Sequence, residues 1–298
     1  RFVEEMDPKI KDVSFKLDRL IVHCPFADEL DQARYGVLLR GLDADVKLFR
    51  EENIELEVEE TKLGQEYSET CGAMTVEFDG EEKTMPQMGP YMQENDRDVR
   101  EQAFHAVADR RLQDAEKLDA IFDKMVKLRN TIADNADLDD YRAWAFLAKH
   151  RFDYSPATCE SFHRGVHEHA VPLMHSMNAH RREAMGLDVL RPWDLEVDPC
   201  GRPPLRPFNG GQELIDGASG IFHRMDTSLG ELFDTMREGD ALDLESRKGK
   251  APGGYQYDRE RRRLPFIFMN AAGLMRDVDT MVHEAGHAFH SMLSRDEP

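Results

Sequence analysis

Positive charge is in short supply. The 298 residues include 39 lysines and arginines against 59 aspartates and glutamates, a formal net charge of −20. A nucleic-acid surface needs clustered cations to displace phosphate counterions, so a nucleic-acid partner is excluded. The acidic excess favours cationic partners or serves solubility. Cysteine is also scarce: Cys24, Cys71, Cys159 and Cys200 are widely scattered, and no C-x-x-C pair occurs. That excludes a disulfide framework and a cysteine-rich zinc site, and it fits free thiols in a reducing, cytoplasmic compartment. No apolar run approaches the roughly 20 residues of a membrane-spanning helix, so no membrane partner is expected. A secretory signal pattern is missing as well. The length is sufficient for two subdomains or one large helical body, and nothing in the composition sets an oligomeric state.

What is present is one chemically dense stretch, Asp279-Thr280-Met281-Val282-His283-Glu284-Ala285-Gly286-His287-Ala288-Phe289-His290. Met281, Val282, Ala285, Ala288, Phe289 and Met292 recur at helical spacing, and Asp277 is the expected N-cap after the break at Gly273. On that helix His283 and His287, four apart, lie on one face a turn apart and can grip one metal ion. Glu284 can then take a proton from a water activated by that metal. This is the H-E-x-x-H pattern, with His283 and His287 as metal ligands, Glu284 as catalytic base and Zn²⁺ as the expected cofactor. A second pair, His163 and His167, has the same spacing, but Arg164 stands where the base would be. Those histidines read as solvated or satisfied rather than as a second site.

A catalytic zinc takes three protein ligands and a water. The pattern with a glycine three residues after the second histidine and a histidine six after it is excluded, because His290 and Leu293 occupy those places. His290 shares the face of the pair, yet three ligands on one straight helix rarely converge, so it reads as a supporting residue. Asp279 is placed to orient His283 or simply to favour the helix start. The third ligand is expected beyond Pro298.

The rest of the chain reads as mainly α. An extended lead-in over residues 1–8 precedes an apolar cluster of Phe15, Leu17, Leu20, Ile21 and Val22. One or two helices follow from about Asp28 to Glu60. Ala73 to Phe78 and Glu82 to Thr84 form a hairpin about Asp79-Gly80. A long helical run begins at an Asn95 or Asp96 cap and ends near Asn135, and a further helix spans Tyr141 to His150. Ser155 caps the next helix. A proline-rich stretch from Arg191 to Gly211 is the expected domain boundary. Helices are expected at about Gly211–His223 and Ser228–Glu238. Two strands, Gly253–Tyr257 and Leu264–Asn270, then flank a charged turn, Asp258 to Arg263. Pro265 suits an edge strand or a strand's first residue. Such an edge can hold a peptide as an added strand, or be purely structural.

The stretch His283 to His290, with Asp277-Val278-Asp279-Thr280 before it, resembles the active-site helix of the M3, thimet-type family of zinc oligopeptidases, in its oligoendopeptidase F branch. Lys248 to Tyr255, Pro265 to Asn270, Arg191 to Asp194 and Arg151 to Tyr154 resemble further stretches of that branch. The resemblance implies a multi-helical, zincin-like metallopeptidase with small antiparallel β-hairpins or a sheet beside the active-site helix. It implies hydrolysis of internal bonds in short peptide substrates, with His283 and His287 on zinc and Glu284 as base and proton shuttle. The family's downstream Glu ligand and its later Tyr and His have no counterpart here. The expected layout is therefore an N-terminal helical region, 1–190, and the first part of a catalytic domain, 191–298. Two alternatives stay open: a catalytically incomplete helical peptide-binding fragment with a half-built metal site, and a hydrolase of another H-E-x-x-H family.

Overall fold

The structure, a computed structural model, describes residues 1–259 and 261–297. Glu260, within the charged turn expected before the last strand, lies outside them. The described residues are mainly helical. In chain order they form α1 (Asp7–Val22), α2 (Gln32–Leu48), α3 (Asn53–Gly72), β1 (Thr75–Phe78), β2 (Glu81–Thr84), α4 (Arg97–Leu112), α5 (Ala115–Asn135) and α6 (Tyr141–Ala148). There follow α7 (Pro156–Gly165), α8 (Val171–Ala184), α9 (Gly211–Met225), α10 (Thr227–Glu238), β3 (Leu242–Glu245), β4 (Tyr255–Tyr257), β5 (Phe266–Ala271) and α11 (Met275–Ser294).

They pack as two compact units, residues 1–67 with 115–175, and residues 68–114 with 176–297. This division differs from a cut at residue 191. The segment 68–114 packs with the second unit because Arg97 and Arg100, on α4, converge on the buried Asp194. Burial opposes the charge on Asp194, but Arg97, the Arg191 backbone N–H and Arg100 outweigh it and lower its pKa to about 2. The proline-rich stretch is thus anchored by a buried ion pair, which a composition reading cannot reveal.

In the first unit, residues 2–6 are helical rather than extended. Pro8 is the second residue of α1, directly after that turn. The helical period splits the expected apolar cluster: Phe15 stacks on Phe49 with ring centroids 3.9 Å apart, while Leu17 and Leu20 are exposed. The buried Asn53 donates to the Ile132 carbonyl and accepts from Asn135. The run expected from residue 95 to 135 is two helices, α4 and α5, which belong to different units. Asp96 caps α4 by accepting from the Asp98 N–H, and Ser155 and Thr158 form a capping box on α7.

In the second unit, β1 and β2 pair around Asp79 and Gly80, whose φ values of 54° and 76° are those of a two-residue hairpin turn of the primed kind. A three-stranded sheet has the order β3-β5-β4. Strand β5 is central, parallel to β3 and antiparallel to β4. Pro265 therefore precedes a central strand rather than opening an edge strand, and its missing N–H falls outside the ladder. Against the sheet pack α9, α10 and α11 through Phe222, Phe233, Met236, Ile267, Met269, Met281, Ala285 and Phe289. Phe222 meets Phe289 edge-on, centroids 4.9 Å apart. Each of the larger side chains among them contributes about 1.5–3 kcal/mol by leaving water, and together they hold α11 against the sheet.

Candidate active site

Helix α11 begins two residues before Asp277, so Asp277 is not its N-cap. Instead Asp277 lies in the first turn and folds back. Its carboxylate accepts from the N–H groups of Ala272 and Leu274 at 2.8 and 2.9 Å. This supplies partners to donors that precede the helix and places a negative charge at its positive end. The amphipathic period then decides orientation. Met281, Ala285, Ala288, Phe289 and Met292 are buried, while His283, Gly286, His287 and His290 are exposed.

His283 and His287 meet on that exposed face. Their Nε2 atoms are 3.1 Å apart and their rings stand at 85°. Two imidazole nitrogens bound tetrahedrally to one zinc at about 2.0–2.1 Å would lie about 3.3 Å apart. The pair therefore has the bite of a chelate for one such ion. Glu284 is 8% exposed. Among the described residues no group donates a hydrogen bond to its carboxylate, and neither oxygen is sealed from solvent. A carboxylate in that state is available to accept a proton from water at the mouth of the site. No cluster of three or more candidate metal-ligating side chains forms among the described residues. His290 stays apart from the pair, and no hydrogen bond there joins the exposed Asp279 to His283.

Strand β4 runs beside this helix. Gly254 approaches Thr280 so closely that a β-carbon would come within 3.2 Å of the threonine methyl. At the other end of the strand, Gln256 Nε2 donates to Ser291 Oγ at 3.4 Å. Among the described residues β4 pairs only with β5 in the sheet, which leaves its outer edge unpaired, and Tyr255 and Tyr257 are exposed.

Two residues that hold β4 in place escaped the sequence reading. Asn270 donates to the carbonyls of Ala251 and Gly253 at 2.9 and 2.8 Å. The Lys250 ammonium donates to the Asp243 and Glu245 carbonyls and to Asp243 Oδ1, and lies 4.4 Å from the Phe268 ring centroid. Burial pushes the Lys250 pKa down, while Asp243 pulls it up. Hydrogen bonding from Arg247, with Lys250 adding to it, lowers Asp243 to about 2. The available signal was a lysine within a glycine-rich stretch, but its partners come from β3, whose Leu-Asp-Leu-Glu alternation is only four residues long and was missed.

Residues 90–298 match the sequence profile of Peptidase family M3. The chain is 24% identical over 213 residues to Oligoendopeptidase F, chromosomal, of Lactococcus lactis subsp. cremoris, a match covering 70% of this chain and 33% of that protein. It is 26% identical over 209 residues to Oligopeptidase PepF of Bacillus subtilis (strain 168), covering 69% of this chain and 30% of that one. A solved structure of PZ peptidase A with inhibitor 2 superposes with a TM-score of 0.93 at 31% identity, covering 99% of this chain and 52% of the other. The chain thus spans about half the length of that solved relative, and its matches span about a third of the curated ones.

Proposed function

The chain belongs to peptidase family M3, and from that premise we propose that it forms the metal-binding part of a zinc-dependent endopeptidase that cleaves internal bonds of short oligopeptides. The observation that carries this reading is the 3.1 Å approach of His283 Nε2 to His287 Nε2 on the exposed face of α11, with Glu284 between them in sequence. His283 and His287 would hold Zn²⁺, which when bound polarises the scissile carbonyl and acidifies water. Glu284 accepts the proton of the attacking water and delivers it to the leaving amine. The unpaired edge of β4 supports a role in holding the peptide main chain as an added strand. The four free cysteines are in keeping with a reducing, cytoplasmic setting.

For this chain by itself, the lack of a third ligand among the described residues favours a second reading, a peptide-binding fragment that does not cleave. Zinc content after dialysis against trace zinc separates the two. Near-stoichiometric metal on the 298-residue chain supports a working site. Metal retained only by a version extended past Pro298 supports the half-built one. An extended chain that refuses zinc ends the zinc-peptidase reading.

A further inference from the structure

We propose that the cavity between the last turns of α11 and the β4–β5 connection is a subsite for a carboxylate carried by the peptide; this rests on the peptidase reading above. The cavity has a volume of about 480 Å³. Arg259, Arg263 and Arg295 line it together with His290, Ser294 and Asp258. His283, His287, His290 and Ser294 follow one another at positions that share a helix face. The cavity therefore opens one turn beyond His287, a rise of about 4.5 Å. Strand β4 lies beside the same helix, with Gly254 near Thr280 and Gln256 near Ser291. A peptide bound along this strand would have the arginine-lined cavity at one end.

Among the described residues that line the cavity, three arginines stand with one acid, Asp258. Arg259 is held by carbonyls, donating to Leu264 and Pro265 and lying over the Phe266 ring, and among the described residues no acid pairs with it. Arg263 donates to the Arg295 carbonyl at 2.7 Å and to Asp296 at 3.1 Å. Asp258 accepts from Gln256. The Arg263 bond to the end of α11 and the Arg259 bonds to the chain before β5 fix these two forks in place. Planar, always-charged forks recognise carboxylates, with geometry that a neutral amide cannot satisfy. The carboxylate can come from the C-terminus of the peptide or from an aspartate or glutamate side chain.

Fluorescence anisotropy with the full 298-residue chain tests this with four forms of one labelled peptide: C-terminal acid or amide, each with Glu or Gln at an internal position. The expected result is that one acid-to-amide change weakens binding about tenfold or more, and which change does so identifies the source. The ratio shrinks in Arg295→Gln and is partly restored in Arg295→Lys, with circular dichroism confirming that both variants fold. Equal affinity for all four peptides, no binding of any, or a ratio untouched by Arg295→Gln would overturn the proposal. Zinc content is read on the unsubstituted chain. Loss of acid preference with zinc intact removes the subsite and spares the peptidase reading; acid preference in a chain that refuses zinc even when extended does the reverse.

Discussion

Two helices of this protein carry histidines four residues apart, and they differ in everything but that spacing. In α11, His283 and His287 oppose a face with seven buried residues, and their ring nitrogens meet. In the stretch that starts with α7, His163 and His167 oppose no buried residue at all, and Phe162 is 70% exposed. The residue after the first histidine is Glu284 in one case and Arg164 in the other. A guanidinium there repels a cation instead of serving as a base. The contrast shows what spacing does and does not supply. It puts two imidazoles on one side of a helix, but a packed opposite face is needed to hold that side toward a partner strand.

The comparison can be broken in several ways. The largest expected effect is on catalysis: in a zinc-loaded, C-terminally extended enzyme, Glu284→Gln should lower kcat by about 10²–10⁴-fold with zinc content unchanged. Steady-state kinetics and metal analysis check this, and normal turnover would refute the role of Glu284. Next comes packing. Phe289→Ala should destabilise by about 3–5 kcal/mol, whereas Phe162→Ala should stay within about 0.5 kcal/mol; urea unfolding of the two variants measures the difference.

Acid should act on the unit that holds α11. The Asp194 pKa is about 2 when folded, below the ordinary carboxylate value of about 3.9. Its stabilising contribution, about 2 kcal/mol, is therefore complete above that ordinary value and disappears as pH falls through the folded one. Unfolding midpoints between pH 5 and pH 2 should show the loss, and Asp194→Asn should remove that part of the pH dependence. Helix starts sharpen the contrast further. Asp277→Ala leaves two backbone N–H groups without their acceptor and should cost about 2 kcal/mol, against about 1 kcal/mol for Ser155→Ala on α7. The smallest effect is the most informative. Arg164→Glu completes the H-E-x-x-H pattern on the α7 stretch, yet zinc affinity measured by competition with a chelating dye should not rise, because no packed face or neighbouring strand supports that pair.

Much of the site was legible before any coordinates. The pair His283 and His287, the helix that carries them, the Asp79-Gly80 turn and the caps at Asp96 and Ser155 follow from spacing and from short-range hydrogen bonding. These features involve residues within a turn of one another, so local chemistry determines them. Two misjudged features are local, the helical residues 2–6 and the start of α11 before Asp277, and the others are non-local. Strand β3, the central place of β5, the split of the 95–135 run into α4 and α5, and the anchoring of Trp193-Asp194 to α4 all depend on partners tens of residues away. Lys250 and Asn270 belong with them, since each is defined by the carbonyls it reaches. The sequence by itself determined that His283 and His287 share one helix face, with Glu284 between them in sequence. Only the tertiary structure decided that strand β4 lies beside Thr280 and Ser291 of this helix and that three arginines line a cavity at its last turns, because burial and long-range hydrogen bonds select among the arrangements that local periodicity leaves equal.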